Sequence, residues 1–226
     1  MTQLRQAACQ MLQSYKDVPF HGPDHGDEVM VNIIRMWYEN DVELLLSTAG
    51  HDIDHTFAVQ SDDEVRAARI SHGIGKKFGI DIRTRNSVEH LILGTVFPNR
   101  SKISWKQEVI ADADIANVGG DFHHHMRCTA RLIMETHAPT GRAMTRDVIM
   151  SGFQRNIWFY AFLTGITGNP DNPFLTPEAQ KAFPHFPRNR DMFLEKLAND
   201  PEYFIRTVQQ EWRNFFGADL VLFEQN

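Results

Sequence analysis

The chain predicts an all-α fold, and three observations carry that expectation. Apolar residues recur every three or four positions over most of the 226 residues. No stretch alternates apolar and polar residues with the period of two that a half-buried strand needs. Glycine or proline punctuates the gaps between the periodic segments, and no internal repeat or low-complexity tract interrupts them.

In chain order, Leu4, Ala8, Met11 and Tyr15 fall at helical spacing and predict a first helix. The breaker segment VPFHGPDHG ends it. Met30, Ile33, Ile34 and Trp37 mark a second helix, with Pro23 suited to its first turn, where a missing N–H costs nothing. VELLLSTAGHDIDH predicts a third, apolar almost continuously and so buried on most sides. In SDDEVRAARISHGIGKKFG, Ser61 or Asp62 would cap a helix that Gly79 stops. Asp62, Asp63 and Glu64 are expected to form its solvated, dipole-favoured first turn, with Glu64 the candidate to orient a histidine. The next helix starts near Thr84, carries Val88, Leu91, Ile92 and Val96 on one side, and ends at Pro98. SWKQEVIADADIANVGG reads as a helix capped by Ser104 and stopped by Gly119, and DFHHHMRCTARLIMETH as another, closed by Pro139. Residues 143–165 are apolar enough for a buried helix. Five prolines between Gly168 and Arg190 predict a surface loop, after which FLEKLAND and PEYFIRTVQQEWRNFFG are helical in pattern.

With 42% hydrophobic residues, the chain is long enough for one well-buried core and short for two, so a single domain over residues 1–226 is expected. Its formal charge is -6 and its basic residues are scattered, which argues against nucleic acid as the main partner. Cys9 and Cys128 form no C-x-x-C pair and are expected to be reduced core thiols. No segment reaches membrane-spanning length, and the N-terminal stretch lacks an apolar run followed by a small-residue cleavage site. A cytoplasmic protein without a membrane partner is the expectation.

Ionisable residues stand where leucine or alanine would be cheaper. His51 and Asp52 open HDIDH at the end of an apolar helix; His21 and His25 lie four apart in FHGPDHGDEV; Asp112 and Asp114 sit in the apolar segment IADADIANVGG. A carboxylate buried in such a helix is costly unless it is paired, hydrogen-bonded or bound to a metal. One shared metal site would explain all three segments, and imidazole nitrogen mixed with carboxylate oxygen suits a borderline or hard divalent ion.

The order H...HD...D resembles the HD superfamily of metal-dependent phosphohydrolases over roughly residues 15–120. FHGPDHGDEV, HDIDH and LILGT followed by ADIAN look like segments of cyclic nucleotide phosphodiesterases. The DDEVRAAR and DADIANVG segments are similar to small bacterial predicted HD phosphohydrolases. The resemblance implies a helical HD domain with a metal site in its core, the helices of residues 121–226 completing the pocket. It further implies one or two divalent ions (Mn, Mg, Fe, Zn or Ni) held by His25, His51, Asp52 and Asp114, with Asp112 as rival for the last place and Asp52 bridging to a second ion. His21 would be the proton donor to the leaving oxygen and His55 would steer a water. The substrate would be a small-molecule phosphate ester, a nucleotide phosphodiester or monophosphate. Gln154 and Trp158 in FQRNIWFYAF occupy about the place where those phosphodiesterases recognise the base, and Trp158 offers a stacking face.

The chain departs from the pattern at Phe20, where tyrosine commonly precedes the first histidine, and at Thr56 and Phe57, where a glycine is expected. Thr95 stands where some binuclear relatives have a further histidine, leaving a second ion to Asp52 and water. Two other functions fit the same residues. An iron-dependent oxygenase of the HD type would employ additional histidines, and Thr95 counts against it; a metal-dependent nucleotide sensor would have no need of His21. In HHH at 123–125, consecutive helical residues point in three directions, so a helix face or a substrate-side contact is expected rather than a metal site.

Overall fold

The computed structural model describes residues 2–55, 62–95, 104–138 and 143–222. These are all-helical, with no strand among them. Eleven α-helices are present among the described residues: α1 (Gln3–Leu12), α2 (Pro23–Arg35), α3 (Val42–Gly50), α4 (Asp63–Lys77), α5 (Ile82–Leu93), α6 (Trp105–Asp114), α7 (Phe122–His137), α8 (Arg146–Thr167), α9 (Pro177–Ala182), α10 (Phe186–Asn199) and α11 (Glu202–Phe216). A 3₁₀ turn over Ala116–Gly119 follows α6. Val96, Pro98, Ser61, Thr56, Phe57 and Pro139, which entered the expectations above, lie outside the described residues.

The chain forms two compact units, one of Met1–Ala116 with Leu175–Ala182, the other of Asn117–Phe174 with Phe183–Asn226. In the first, α3 is the central helix, touching α1, α2, α4, α5 and α6. Leu44, Leu46, Ser47, Thr48, Ala49 and Gly50 are all buried, as a helix apolar on most sides requires. Met11, Leu46, Ile53, Ala67, Val88 and Ile92 form the core around it. In the second unit, α7, α8 and α11 pack on one another. Its core is aromatic: the Phe204 ring lies between those of Phe153 and Phe193, with centroids 4.6 and 5.4 Å away.

Caps set several boundaries. Ser104 and Gln107 form a capping box at the start of α6, as the sequence suggests, and Pro23 stands at the start of α2. Gly79 takes a positive φ of 74° just past α4.

Four expectations are corrected. First, α3 stops at Gly50, and His51 to Asp54 form turns instead of continuing it. The physical reason lies at Thr48, whose carbonyl accepts from the His51 ring at 2.8 Å, while the Asp52 N–H donates to the Tyr15 hydroxyl at 3.4 Å. Side-chain hydrogen bonds have taken the place of the next helical rung. Second, Asp63 is fully buried rather than solvated, because α4 begins there and puts Asp63 on the same stripe as buried Ala67, Ser71 and Gly75. Third, the proline-rich segment holds α9 and the start of α10, with Pro177 and Pro187 acting as helix starters. Fourth, Cys9 is exposed, since the buried face of α1 carries Ala7 and Met11; Cys128 is buried as expected.

Candidate metal centre

The first unit gathers four candidate ligands from three places. His25 lies in the first turn of α2, His51 and Asp52 in the turn that ends α3, and Asp114 at the last residue of α6. Asn32, two turns beyond His25 on α2 and itself buried, donates from Nδ2 to the Ala113 carbonyl at 3.0 Å. That bond ties the end of α6 to α2 and fixes Asp114 relative to His25. Ligand atoms of His25, His51, Asp52 and Asp114 all lie within 4.8 Å of one another. His25 Nε2 is 3.0 Å from Asp114 Oδ1 and 3.4 Å from Asp52 Oδ2; His51 Nε2 is 3.0 Å from the same Asp52 oxygen.

Hydrogen bonding assigns the His51 tautomer. A carbonyl oxygen only accepts, so the 2.8 Å contact with Thr48 puts the proton on Nδ1. Nε2 of the neutral ring then presents a lone pair to the Asp52 carboxylate. It is buried and has no hydrogen-bond partner among the described residues, although Asp52 Oδ2 is close. Two lone pairs facing each other at that distance repel unless a positive charge lies between them, supplied by a proton on Nε2 or by a metal ion.

The titration behaviour points the same way. Burial works against charge on His25, but Asp114 and Asp52 outweigh it and pull the pKa up to about 9. His51 moves well above the ordinary histidine value, burial again being outweighed by Asp52 and then Tyr15 and Asp114. Burial would raise the carboxylates, yet Asp52 is held well below the usual range by His51 and His55, and Asp114 is lowered by hydrogen bonds to His25 and His51. The group thus demands positive charge, and its two nitrogens and two carboxylates could hold a metal ion. Asp114 is the open side, with 32% of its side chain exposed against 7% or less for the other three.

His21 and His55 stand beside this group. Their rings are 4.3 Å apart at 32°, and His55 Nε2 is 3.2 Å from Asp52 Oδ1, the oxygen turned away from His25 and His51. Both His55 ring nitrogens are buried without a hydrogen-bond partner among the described residues. Asp63 Oδ2 approaches His55 Nδ1 to 3.9 Å, so the α4 carboxylate that faces this histidine is Asp63, where Glu64 was the candidate. Asp54 points elsewhere: it accepts from Arg66 at 2.5 Å and faces Lys16 at 3.5 Å. Arg66 also pairs with Asp62 and Asp63.

Asp112 is not among the four. Its oxygens accept from the Leu175 N–H at 3.0 Å and from the Thr176 N–H and hydroxyl, each at 2.8 Å, which fastens the returning segment onto the first unit. Adjacent helical positions diverge by about 100°, so Asp112 and Asp114 serve opposite tasks two residues apart.

Gln154 and Trp158 belong to α8 in the second unit and are exposed, Trp158 at 61% and stacked on Phe162 with centroids 5.3 Å apart. The three histidines of α7 do point apart. His123 reaches the Tyr203 hydroxyl, His124 lies 3.4 Å from Cys128 Sγ, and His125 is buried between Asn117 and Tyr160.

Tyr15, Thr48, Asn32 and Asp63 support the group without having been singled out by sequence; Tyr15 passes for the last apolar residue of the α1 stripe. Among the described residues, no helix is long and apolar enough to cross a membrane. No protein-family model, curated protein or solved structure matches the chain.

Proposed function

We propose that the chain is a divalent-metal-dependent phosphohydrolase of the HD type that hydrolyses a small-molecule phosphate ester, a nucleotide phosphodiester or monophosphate. The observation that carries this reading is the convergence of His25, His51, Asp52 and Asp114 ligand atoms within 4.8 Å, at the spacing and order of the HD motif. An ion held there would polarise a phosphoryl oxygen and lower the pKa of water. Asp52 divides its oxygens, Oδ2 toward His25 and His51 and Oδ1 toward His55, so one carboxylate serves both parts of the site. His55 has two ring nitrogens to orient the attacking water. His21, tilted against the His55 ring and half-buried, donates a proton to the leaving oxygen.

The test is a screen of phosphomonoesters, cyclic nucleotides and dinucleotides with manganese, magnesium, iron, zinc and nickel supplied in turn. Asp52→Ala is expected to lose both bound metal and hydrolysis. His21→Ala is expected to keep the metal and lose about 10²–10⁴-fold in turnover, the usual worth of a positioned acid. Hydrolysis that survives Asp52→Ala unchanged would falsify the proposal.

A further inference from the structure

Tyr15 stands behind two of the four candidate ligands and beside the neighbour of a third. Its hydroxyl accepts from the Asp52 N–H at 3.4 Å and lies 3.3 Å from His51 Nδ1 and 3.5 Å from the Thr48 carbonyl. Its ring occupies the space beside Gly26, the residue after His25: a Cβ there would come within 2.7 Å of the ring carbon Cζ and 2.8 Å of the hydroxyl. Tyr15 is therefore in touch with the α2 turn that carries His25 and with the turn that carries His51 and Asp52.

The hydroxyl matters because the His51 ring and the Asp52 N–H compete for the Thr48 carbonyl, to which the Tyr15 hydroxyl itself donates only at 3.5 Å against 2.8 Å for the ring. In a regular helix that carbonyl accepts from the N–H four residues on, which is Asp52. Here it accepts from the His51 ring, and the Asp52 N–H is met by Tyr15. Without the hydroxyl, a buried Asp52 N–H would be left to take the Thr48 carbonyl and wind α3 on by one rung. That displaces the His51 ring from the contact that turns its Nε2 toward Asp52.

We propose that Tyr15 is a positioning residue for the metal centre, its hydroxyl reserving the Thr48 carbonyl for His51 and so setting the affinity for a divalent ion. This rests on the reading of His25, His51, Asp52 and Asp114 as ligands. It predicts that removing one oxygen atom weakens metal binding more than it weakens the fold.

The full-length protein, its Tyr15→Phe variant and a Val88→Ala control are titrated with Zn²⁺ and Co²⁺ against a chelator. Val88 lies in the same core as Tyr15 and enters none of the hydrogen bonds given above. Tyr15→Phe is expected to bind about 10–100-fold more weakly, the usual loss when a partner of a ligand is removed. Its Co²⁺ absorption spectrum should change, and ¹⁵N NMR of the metal-free variant, at a pH where the His51 ring is neutral, should show the Nδ1-protonated tautomer depleted. Val88→Ala should lower the melting temperature and leave affinity and spectrum alone. Tyr15→Phe that binds within about twofold of the wild type with the same spectrum overturns the proposal; so does an equal loss of affinity in Val88→Ala. Should Tyr15→Phe not fold, Gly26→Ala decides. It displaces the ring while favouring the helix it sits in, and unchanged affinity there counts against Tyr15. A wild-type protein that binds neither ion removes the ligand reading itself, an outcome distinct from loss in the variant alone.

Discussion

His51 Nδ1 meets the carbonyl oxygen of Thr48 at 2.8 Å, and that contact decides which nitrogen faces Asp52. With Nδ1 protonated, Nε2 is the nitrogen left for a metal ion or a second proton, 3.0 Å from a carboxylate oxygen. Asp52→Asn keeps the shape of the side chain and removes its charge. It is expected to lower divalent-ion affinity by more than the roughly 10–100-fold that losing an outer partner costs. Calorimetric titration of Zn²⁺ into both proteins measures this, and equal affinities would contradict Asp52 as a ligand.

Protons and metal compete for the same nitrogens. His25 is pulled up to about 9 and His51 well above its ordinary value, so at neutral pH the metal-free group carries protons that an ion must displace. Metal affinity should therefore rise with pH through neutrality and at least up to about 9, and binding should release protons. Calorimetry in buffers of different ionisation enthalpy counts them. The stability of the metal-free protein runs in the opposite sense. A histidine whose folded pKa is raised from 6.5 to about 9 contributes fully below the lower value, and that contribution is lost as pH climbs through the higher one. Melting temperatures of metal-free protein should fall over that window, and saturating Zn²⁺ should flatten the slope.

How much of this could be read from the sequence depends on what each residue costs. His51, Asp52 and Asp114 were conspicuous because polar groups in apolar helices need a reason, and HD order supplied a common one. Helical periodicity also predicted α1 through α6 and the all-α class, since a 3.6-residue stripe leaves a clear mark. Tyr15 left none: its ring satisfies the apolar stripe, and the need of its hydroxyl for partners emerges only when α3 ends against it. Asp63 stands against the rule that an acidic first turn faces solvent, because its i, i+4 and i, i+8 spacing to Ala67 and Ser71 puts it on the buried stripe. Pro177 and Pro187 were read as breakers, yet the missing N–H that breaks a helix interior is harmless at a helix start.

Asp112 and Asp114 separate fold from site within one turn of helix. Asp112 accepts three hydrogen bonds from Leu175 and Thr176 and is fully buried. Asp112→Ala leaves those donors unmatched and should cost about 1–3 kcal/mol for each group left without a partner, while Zn²⁺ affinity in the folded fraction stays near the wild type. Asp114→Ala should do the reverse, abolishing tight binding with a smaller loss of metal-free stability. Denaturant unfolding and metal titration on the two variants give the contrast, and a swapped pattern would make Asp112 the ligand.

His125 predicts an acid response in the second unit. Nδ1 donates to Asn117 Oδ1 at 2.8 Å, and Nε2 accepts from the Tyr160 hydroxyl at 2.6 Å. Both nitrogens are thereby satisfied in the neutral ring, whereas an imidazolium would turn a second donor toward Tyr160. Burial, with a smaller contribution from His124, pushes the His125 pKa down to about 3, and burial also pushes Tyr160 up, so its hydroxyl remains a donor. Between about 3 and 6.5 the unfolded chain therefore binds a proton at His125 that the folded chain refuses. Stability from this residue is present above 6.5 and declines as pH falls through that window. His125→Gln can keep a donor and an acceptor but cannot ionise, so the difference in unfolding free energy between wild type and variant should shift in favour of the variant on going from pH 7 to pH 4. Carboxylates elsewhere titrate alike in both proteins and cancel in that difference. A difference that stays flat over this range would mean that His125 is protonated in the fold after all, with Tyr160 rotated to accept.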